Sequence, residues 1–145
     1  MTKPASADAP LPLPSQDNAA FYEAARRGEL RFQKCSACGR FRHYPRPVCP
    51  HCLGREFSWE ASSGRGTVYT WTIVRGPTLP AFEPKLPYNV VDVLMDEGVH
   101  FVSEILDCAA EAIHAGMQVR AVFVPASDNV TLVKFVRAPV SPSAS

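Results

Sequence analysis

Four cysteines fall in two pairs along "CSACGRFRHYPRPVCPHC": Cys35 and Cys38 bracket two residues, ten residues follow, and Cys49 and Cys52 bracket two more. A two-residue spacing lets both sulfurs of a pair reach one ion while backbone N–H groups turn toward the thiolates. Gly39, directly after Cys38, tolerates the positive φ of such a turn, and Pro50 restricts the second pair. Four thiolates at about 2.3 Å in a tetrahedron predict a closed, structural Zn²⁺ site with no open position for a substrate. Four-thiolate iron and redox dithiols are the alternatives that the spacing leaves open. His43 and His51 lie between the ligands, but four cysteines complete the shell, so both are expected at the surface.

The charge around these cysteines is lopsided. Eight of the 15 basic residues (Arg26, Arg27, Arg31, Lys34, Arg40, Arg42, Arg46 and Arg55) lie between Arg26 and Arg55 with one acid, Glu29, against a whole-chain net charge of +1. A divalent ion in four thiolates carries a local charge of about −2, which accounts for part of the excess. The remainder suits phosphate, on nucleic acid or on the nucleotide end of a cofactor. Globally the chain is an ordinary soluble one, with 46% apolar and 20% charged residues over 145 positions, enough for one core domain and a small satellite. No apolar run approaches the ~18 residues of a membrane span. An odd number of cysteines, five, suits a reducing compartment, and a cytoplasmic location is expected.

The elements that must position the cysteines are legible from pattern. "MTKPASADAPLPLPSQDN" lacks the apolar core of a secretory signal, so residues 1–16 are expected to be a disordered leader. Residues 17–34 should form a short helix, capped by Asp17 or Asn18 and ended by Gly28, followed by the entry strand "LRFQ". Phe21 and Ala25 share a face that either packs on the chain's own domain or lays Phe21 and Tyr22 on a partner. The ribbon fills 35–60. From 61 to 138 the pattern alternates with period two in "GTVYTWTIVRG", "YNVVDVLMDEG", "VHFVSEIL", "QVRAVFVP" and "VTLVKFVRAP", with an insert, "CAAEAIHAGM", between the third and fourth. Five strands so arranged predict a small OB-type barrel, and 139–145 a disordered tail. The fold class is therefore mainly β. The loop "RGPTLPAFEPKLPY" is long and stiffened by four prolines, and Phe82, Lys85, Leu86 and Tyr88 give it apolar surface and one cation. It serves as a ligand- or partner-facing arm or as a cover over one barrel end.

Catalysis by this chain alone is not expected. No Ser-His-Asp or Cys-His set stands at useful spacing, and Cys108 has only His100 and His114 near it in sequence. A module that binds single-stranded nucleic acid is the main alternative, with Tyr69 and Trp71 stacking on bases. The acids Asp92, Asp96, Glu97, Glu104 and Asp107 on or beside the strands oppose it.

In its order of short helix, four-cysteine ribbon and OB-like barrel, the chain resembles the zinc-ribbon/OB-fold family of acyl-CoA-associated proteins, long catalogued only as a domain of unknown function. The stretches "FYEAARRGELRFQKCSACGRFRHYPRPVCPHC", "GRGTVYTWTIV", "PYNVVDVLMDEGVHFVSEIL" and "AGMQVRAVF" carry the likeness and cover residues 18–137. "DCAAEAIHAG" departs from the Asp-Pro turn usual there. The resemblance implies a rubredoxin-like zinc ribbon and an accessory subunit. Such subunits bind thiolase-superfamily enzymes, or hot-dog-fold hydratases, that process CoA thioesters, and sit by the partner's CoA channel. The reactions served are thiolytic cleavage, Claisen condensation, retro-aldol cleavage of steroid thioesters and acyl transfer. With acyl-CoA as a ligand, Arg40 and Arg42 would meet the 3′-phospho-ADP group, and Phe82, Lys85 and Tyr88 the pantetheine arm. Phe21, Tyr22 and Arg46 would face the partner enzyme.

Overall fold

Helix α1 (Ala19–Arg26) is Ala-rich and buries Phe21, Ala24 and Ala25. Asn18 stands at its N-cap but caps nothing with its side chain; instead its Oδ1 accepts from the Ser15 amide at 2.6 Å and fixes the entry turn. Gly28, at φ +78°, lets the chain turn back so that the amides of Gly28 and Glu29 reach the carbonyls of Ala25 and Ala24, each at 2.9 Å. The computed structural model describes residues 10–139. Residues 1–9 of the expected leader and 140–145 of the expected tail lie outside them.

Two antiparallel sheets follow. In the ribbon, β1 (Arg31–Cys35) is central, flanked by β2 (Phe41–Arg42) and β3 (Phe57–Ala61). The second sheet contains β4 (Arg65–Val74), β5 (Tyr88–Met95), β6 (His100–Ser103), β7 (Gln118–Pro125) and β8 (Thr131–Arg137), in the order β6-β5-β4-β7-β8. It curls until its two edges meet. Ile105 forms a parallel bridge with Phe135, the Leu106 amide donates to the Phe135 carbonyl at 2.8 Å, and Ser103 Oγ donates to the Val133 carbonyl at 2.7 Å. Gly66 permits the tight pairing of β4 with β5, since a Cβ there would lie 2.6 Å from a Val93 methyl and 2.7 Å from the Leu94 carbonyl oxygen. This is the expected mainly β fold, a four-cysteine ribbon beside a five-stranded OB barrel.

Ribbon, helix and barrel share one core. Phe21, Ala25, Leu30 and Phe32 come from the N-terminal half, and Val68, Val91, Val93, Phe101, Ile105, Val119 and Phe135 from the barrel. Full burial of each large side chain contributes about 1.5–3 kcal/mol. His43 joins this cluster, against the surface position expected from sequence. Its ring stacks on Phe101 with centroids 4.6 Å apart and planes 11° apart, and it also meets Phe32 at 5.2 Å and Phe21 at 5.3 Å. The reason is nonlocal: the loop after β2 folds over the barrel and places Tyr44 so that its hydroxyl accepts from the Val102 amide at 3.2 Å, on the outer edge of β6.

Burial holds the His43 imidazole neutral and lowers its pKa from 6.5 to about 3. Below pH 6.5 the unfolded chain takes up a proton that the folded chain refuses until about pH 3. Stability therefore falls as pH drops through that window, by up to about 1.4 kcal/mol per pH unit from this one group. His43→Phe, which keeps a ring in place, is expected to lose stability less steeply between about pH 6.5 and 4.5 in urea melts. An unchanged slope would contradict a buried imidazole.

Candidate metal centre

Cys35 ends β1, and the turn that follows brings Cys38 back beside it. The Gly39 amide donates to the Cys35 carbonyl at 2.9 Å, the Cys35 amide to the Arg40 carbonyl at 2.9 Å, and the Cys38 amide points at Cys35 Sγ at 3.5 Å. The second turn repeats the pattern. The Leu53 amide donates to the Cys49 carbonyl at 3.0 Å, the Cys49 amide to the Gly54 carbonyl at 2.8 Å, and the His51 amide to Cys49 Sγ at 3.4 Å. Gly39 and Leu53 occupy equivalent left-handed positions, at φ +77° and +65°. For leucine that conformation costs roughly 1–2 kcal/mol, so the second turn holds a strained residue where the first has glycine.

The four sulfurs lie within 4.8 Å of one another, with Cys35 and Cys52 3.5 Å apart and Cys38 and Cys49 3.7 Å apart. A tetrahedron with metal–sulfur bonds of about 2.3 Å has edges of about 3.8 Å. The donor set fits a zinc ion, which Cys35, Cys38, Cys49 and Cys52 would hold; such an ion supplies rigidity and leaves no position for a reactant. Electrostatics agree. The Cys38 amide draws the Cys35 thiol down to about 6, and the Cys52 amide lowers Cys49. The Gly54 amide favours a Cys52 thiolate too, but the Cys35 sulfur, burial and the other two sulfurs outweigh it and push that thiol up to about 11. Four thiolates share this space only around a cation.

The cations expected at a ligand surface divide. Arg40 is exposed, and its guanidinium meets His51 Nδ1 at 2.8 Å, linking the two cysteine turns across their outer face. Arg42 is 4% exposed and points inward, which removes it from the surface role expected. Its Nε donates to Gln33 Oε1 at 2.9 Å, its far nitrogen to the Arg46 carbonyl at 2.9 Å, and the guanidinium lies over Phe57 at 4.8 Å. Gln33 also accepts from the Arg46 amide at 2.9 Å, so a buried Gln–Arg pair clamps the backbone of the 42–46 loop while the Arg46 side chain stays exposed. Alternation along "RFQKC" gives no hint of this, because β1 buries Phe32 and Gln33 on opposite faces.

Phe82, Lys85 and Tyr88 are brought together on the arm between β4 and β5, where Pro80–Lys85 forms a 3-10 turn. Phe82 and Tyr88 ring centroids are 5.8 Å apart, and the Lys85 ammonium lies 5.7 Å from the Phe82 ring. Phe21 is 5% exposed and belongs to the chain's own core, so it does not offer a partner surface; Tyr22 beside it is half-buried. Tyr69 and Trp71 remain exposed on β4, but the edge of Tyr69 meets His100, whose Nδ1 lies 2.9 Å from Asp92 Oδ1. A carboxylate beside the stacking face disfavours a nucleic-acid backbone there. Cys108 accepts from the Arg137 guanidinium at 3.3 Å. Among the described residues no helix is long and apolar enough to cross a membrane.

A zinc ribbon packed on an OB barrel defines the class of protein. Residues 23–58 match the model of the ChsH2 rubredoxin-like zinc ribbon domain and residues 59–124 that of the ChsH2 C-terminal OB-fold domain. The chain belongs to this family, also known as DUF35. It is similar to a probable enoyl-CoA hydratase alpha subunit of Thermomonospora curvata, at 38% identity over 87% of this chain and 39% of that protein. It is also similar to a DUF35 domain-containing scaffold protein of Methanocaldococcus jannaschii, at 36% identity over 62% of this chain and 64% of that one. The chain thus spans about two fifths of the hydratase subunit and about two thirds of the scaffold protein. Among solved structures it superposes on a chain of an Ltp2-ChsH2(DUF35) aldolase with TM-score 0.80 and 36% identity, over 89% of this chain and 100% of that one.

Cys35→Ser or Cys49→Ser is expected to abolish metal binding and unfold the ribbon, since structural zinc contributes about 10–16 kcal/mol to small modules of this kind. Elemental analysis should fall from about one zinc per chain to near zero. Undiminished zinc in either variant would remove the four-cysteine site.

Proposed function

We propose that this chain is a non-catalytic accessory subunit of an enzyme acting on acyl-CoA thioesters. The observation that carries the reading is the superposition over the full length of a chain from an aldolase assembly at 36% identity, supported by the likeness to a hydratase alpha subunit. The partner is a thiolase-superfamily enzyme, with a hot-dog-fold hydratase as the other candidate, and the chain helps to form its acyl-CoA site for carbon–carbon cleavage or formation, or for acyl transfer. The rigid ribbon offers Arg40 to the 3′-phospho-ADP group and Arg46 to the partner enzyme. The proline-stiffened arm offers Phe82, Lys85 and Tyr88 to pantetheine with little ordering cost on binding. Tyr22 adds apolar surface toward the partner. The four-thiolate centre keeps these surfaces in shape and takes no part in the chemistry.

Co-expression with the thiolase-like or hydratase-like product of a neighbouring gene is expected to yield a stable complex whose thioester chemistry depends on this chain. Independent elution with unchanged activity would overturn the reading. Within the complex, Arg40→Glu is expected to weaken CoA-ester binding about tenfold, by losing a charge-assisted contact. Arg120→Glu, on β7, should change it less than about twofold. Equal effects would show that the ribbon cations do not touch the ligand.

A further inference from the structure

The cysteine end of the ribbon carries a side chain that the fold does not use. Leu53 follows the last cysteine and is 74% exposed, so it adds nothing to the core. Its φ is +65°, the left-handed conformation that the first cysteine turn gives to Gly39 at +77°. Glycine adopts that backbone freely, and leucine only under strain. Within the chain itself, then, a leucine here is both unburied and costly. Strain of this kind clusters at functional positions.

The surroundings define what would receive it. The two cysteine turns lie side by side, since a Cβ on Gly54 would meet the Ala37 Cβ at 3.4 Å. Ala37, Pro50 and Leu53 are all exposed, which makes the tip a small apolar knob. Cations stand around it. His51, two residues before Leu53, meets the Arg40 guanidinium at 2.8 Å, and Arg55, two residues after, is exposed. Residues 30–55 contain no Asp or Glu, and the first acid beyond them is Glu56. A leucine-tipped knob among cations complements an apolar pocket bordered by carboxylates. One leucine buries too little surface to hold a membrane by itself, and it offers no ring to stack on a nucleic-acid base. A pocket in a folded protein is the occupant that matches.

We infer that Leu53 is a docking anchor, inserting into an apolar, acid-rimmed pocket on the partner enzyme while Arg55 pairs with the rim. The inference rests on the accessory-subunit reading and names a contact within it.

The full zinc-loaded chain is titrated into the thiolase-like or hydratase-like product of a neighbouring gene, and Kd, zinc content and Tm are measured together. Leu53→Gly is expected to weaken association at least about tenfold, the loss of one buried leucine. It should keep about one zinc per chain and melt no lower, because glycine relieves the strain. Leu53→Met, which preserves the apolar tip, should stay within about threefold. Arg55→Glu is expected to weaken association about fivefold in low salt and less than about twofold in about 0.5 M salt, whereas the Leu53→Gly loss persists in both. Leu53→Gly binding as tightly as the unchanged chain would overturn the inference and leave the accessory-subunit reading standing. No association by the unchanged chain would overturn both. Should Leu53→Gly lose zinc or melt lower, Leu53→Asn, polar and tolerant of the same backbone, supplies the comparison. The same defect in both variants would show that the leucine serves the fold, against the inference.

Discussion

Four sulfur atoms confined within 4.8 Å of one another are the constraint on which the molecule rests. Thiols this close repel as they ionise, and amides aimed at Cys35 and Cys49 favour the ionised form. A tetrahedral divalent ion resolves that conflict and ties two turns, ten residues apart in sequence, into one rigid ribbon. That rigidity extends beyond the turns. β1 carries Phe32 into the common core, and the loop between the cysteine pairs carries His43 onto Phe101 and Tyr44 onto the edge of β6. Ribbon and barrel are therefore two sheets around a single apolar interior.

This arrangement separates shape from chemistry. The metal centre is closed by four ligands, and the half-buried thiol of Cys108 meets an arginine, not a base. What the fold displays are surfaces: Arg40 and Arg46 on the ribbon, and a stiff aromatic arm between β4 and β5. Surfaces held rigid before contact lose little entropy on docking. A subunit that completes another protein's site would draw on that property, and the likeness to a chain of an aldolase assembly agrees with it.

Much of the architecture could be read from local pattern. Two-residue spacing marked all four cysteines, and period-two alternation marked β4 to β8, including the insert after β6. These signals are local, so they survive in the linear chain. The misreadings concern contacts made across the fold. His43 looked like a surface group because nothing nearby in sequence shows that its loop lands on Phe101. Arg42 looked like a phosphate contact because charge alone does not reveal that Gln33 and the Arg46 carbonyl receive it inside. Of the two packings open to the Phe21 face, the one on the chain's own domain holds, against Phe101 at 6.1 Å, and the partner-facing one does not. The left-handed Leu53 had no signal at all, since glycine is the residue that announces that conformation.

Amide hydrogen exchange on zinc-loaded and chelator-stripped protein is the most direct test of a metal-dependent common core. One core predicts that stripping the ion removes protection from Arg31–Cys35 and Phe41–Arg42 and also lowers it in Ala19–Arg26 and His100–Ser103, while Gln118–Pro125 stays protected. Loss of protection confined to the cysteine turns, with the helix and β6 unchanged, would show instead that the ribbon is an independent appendage.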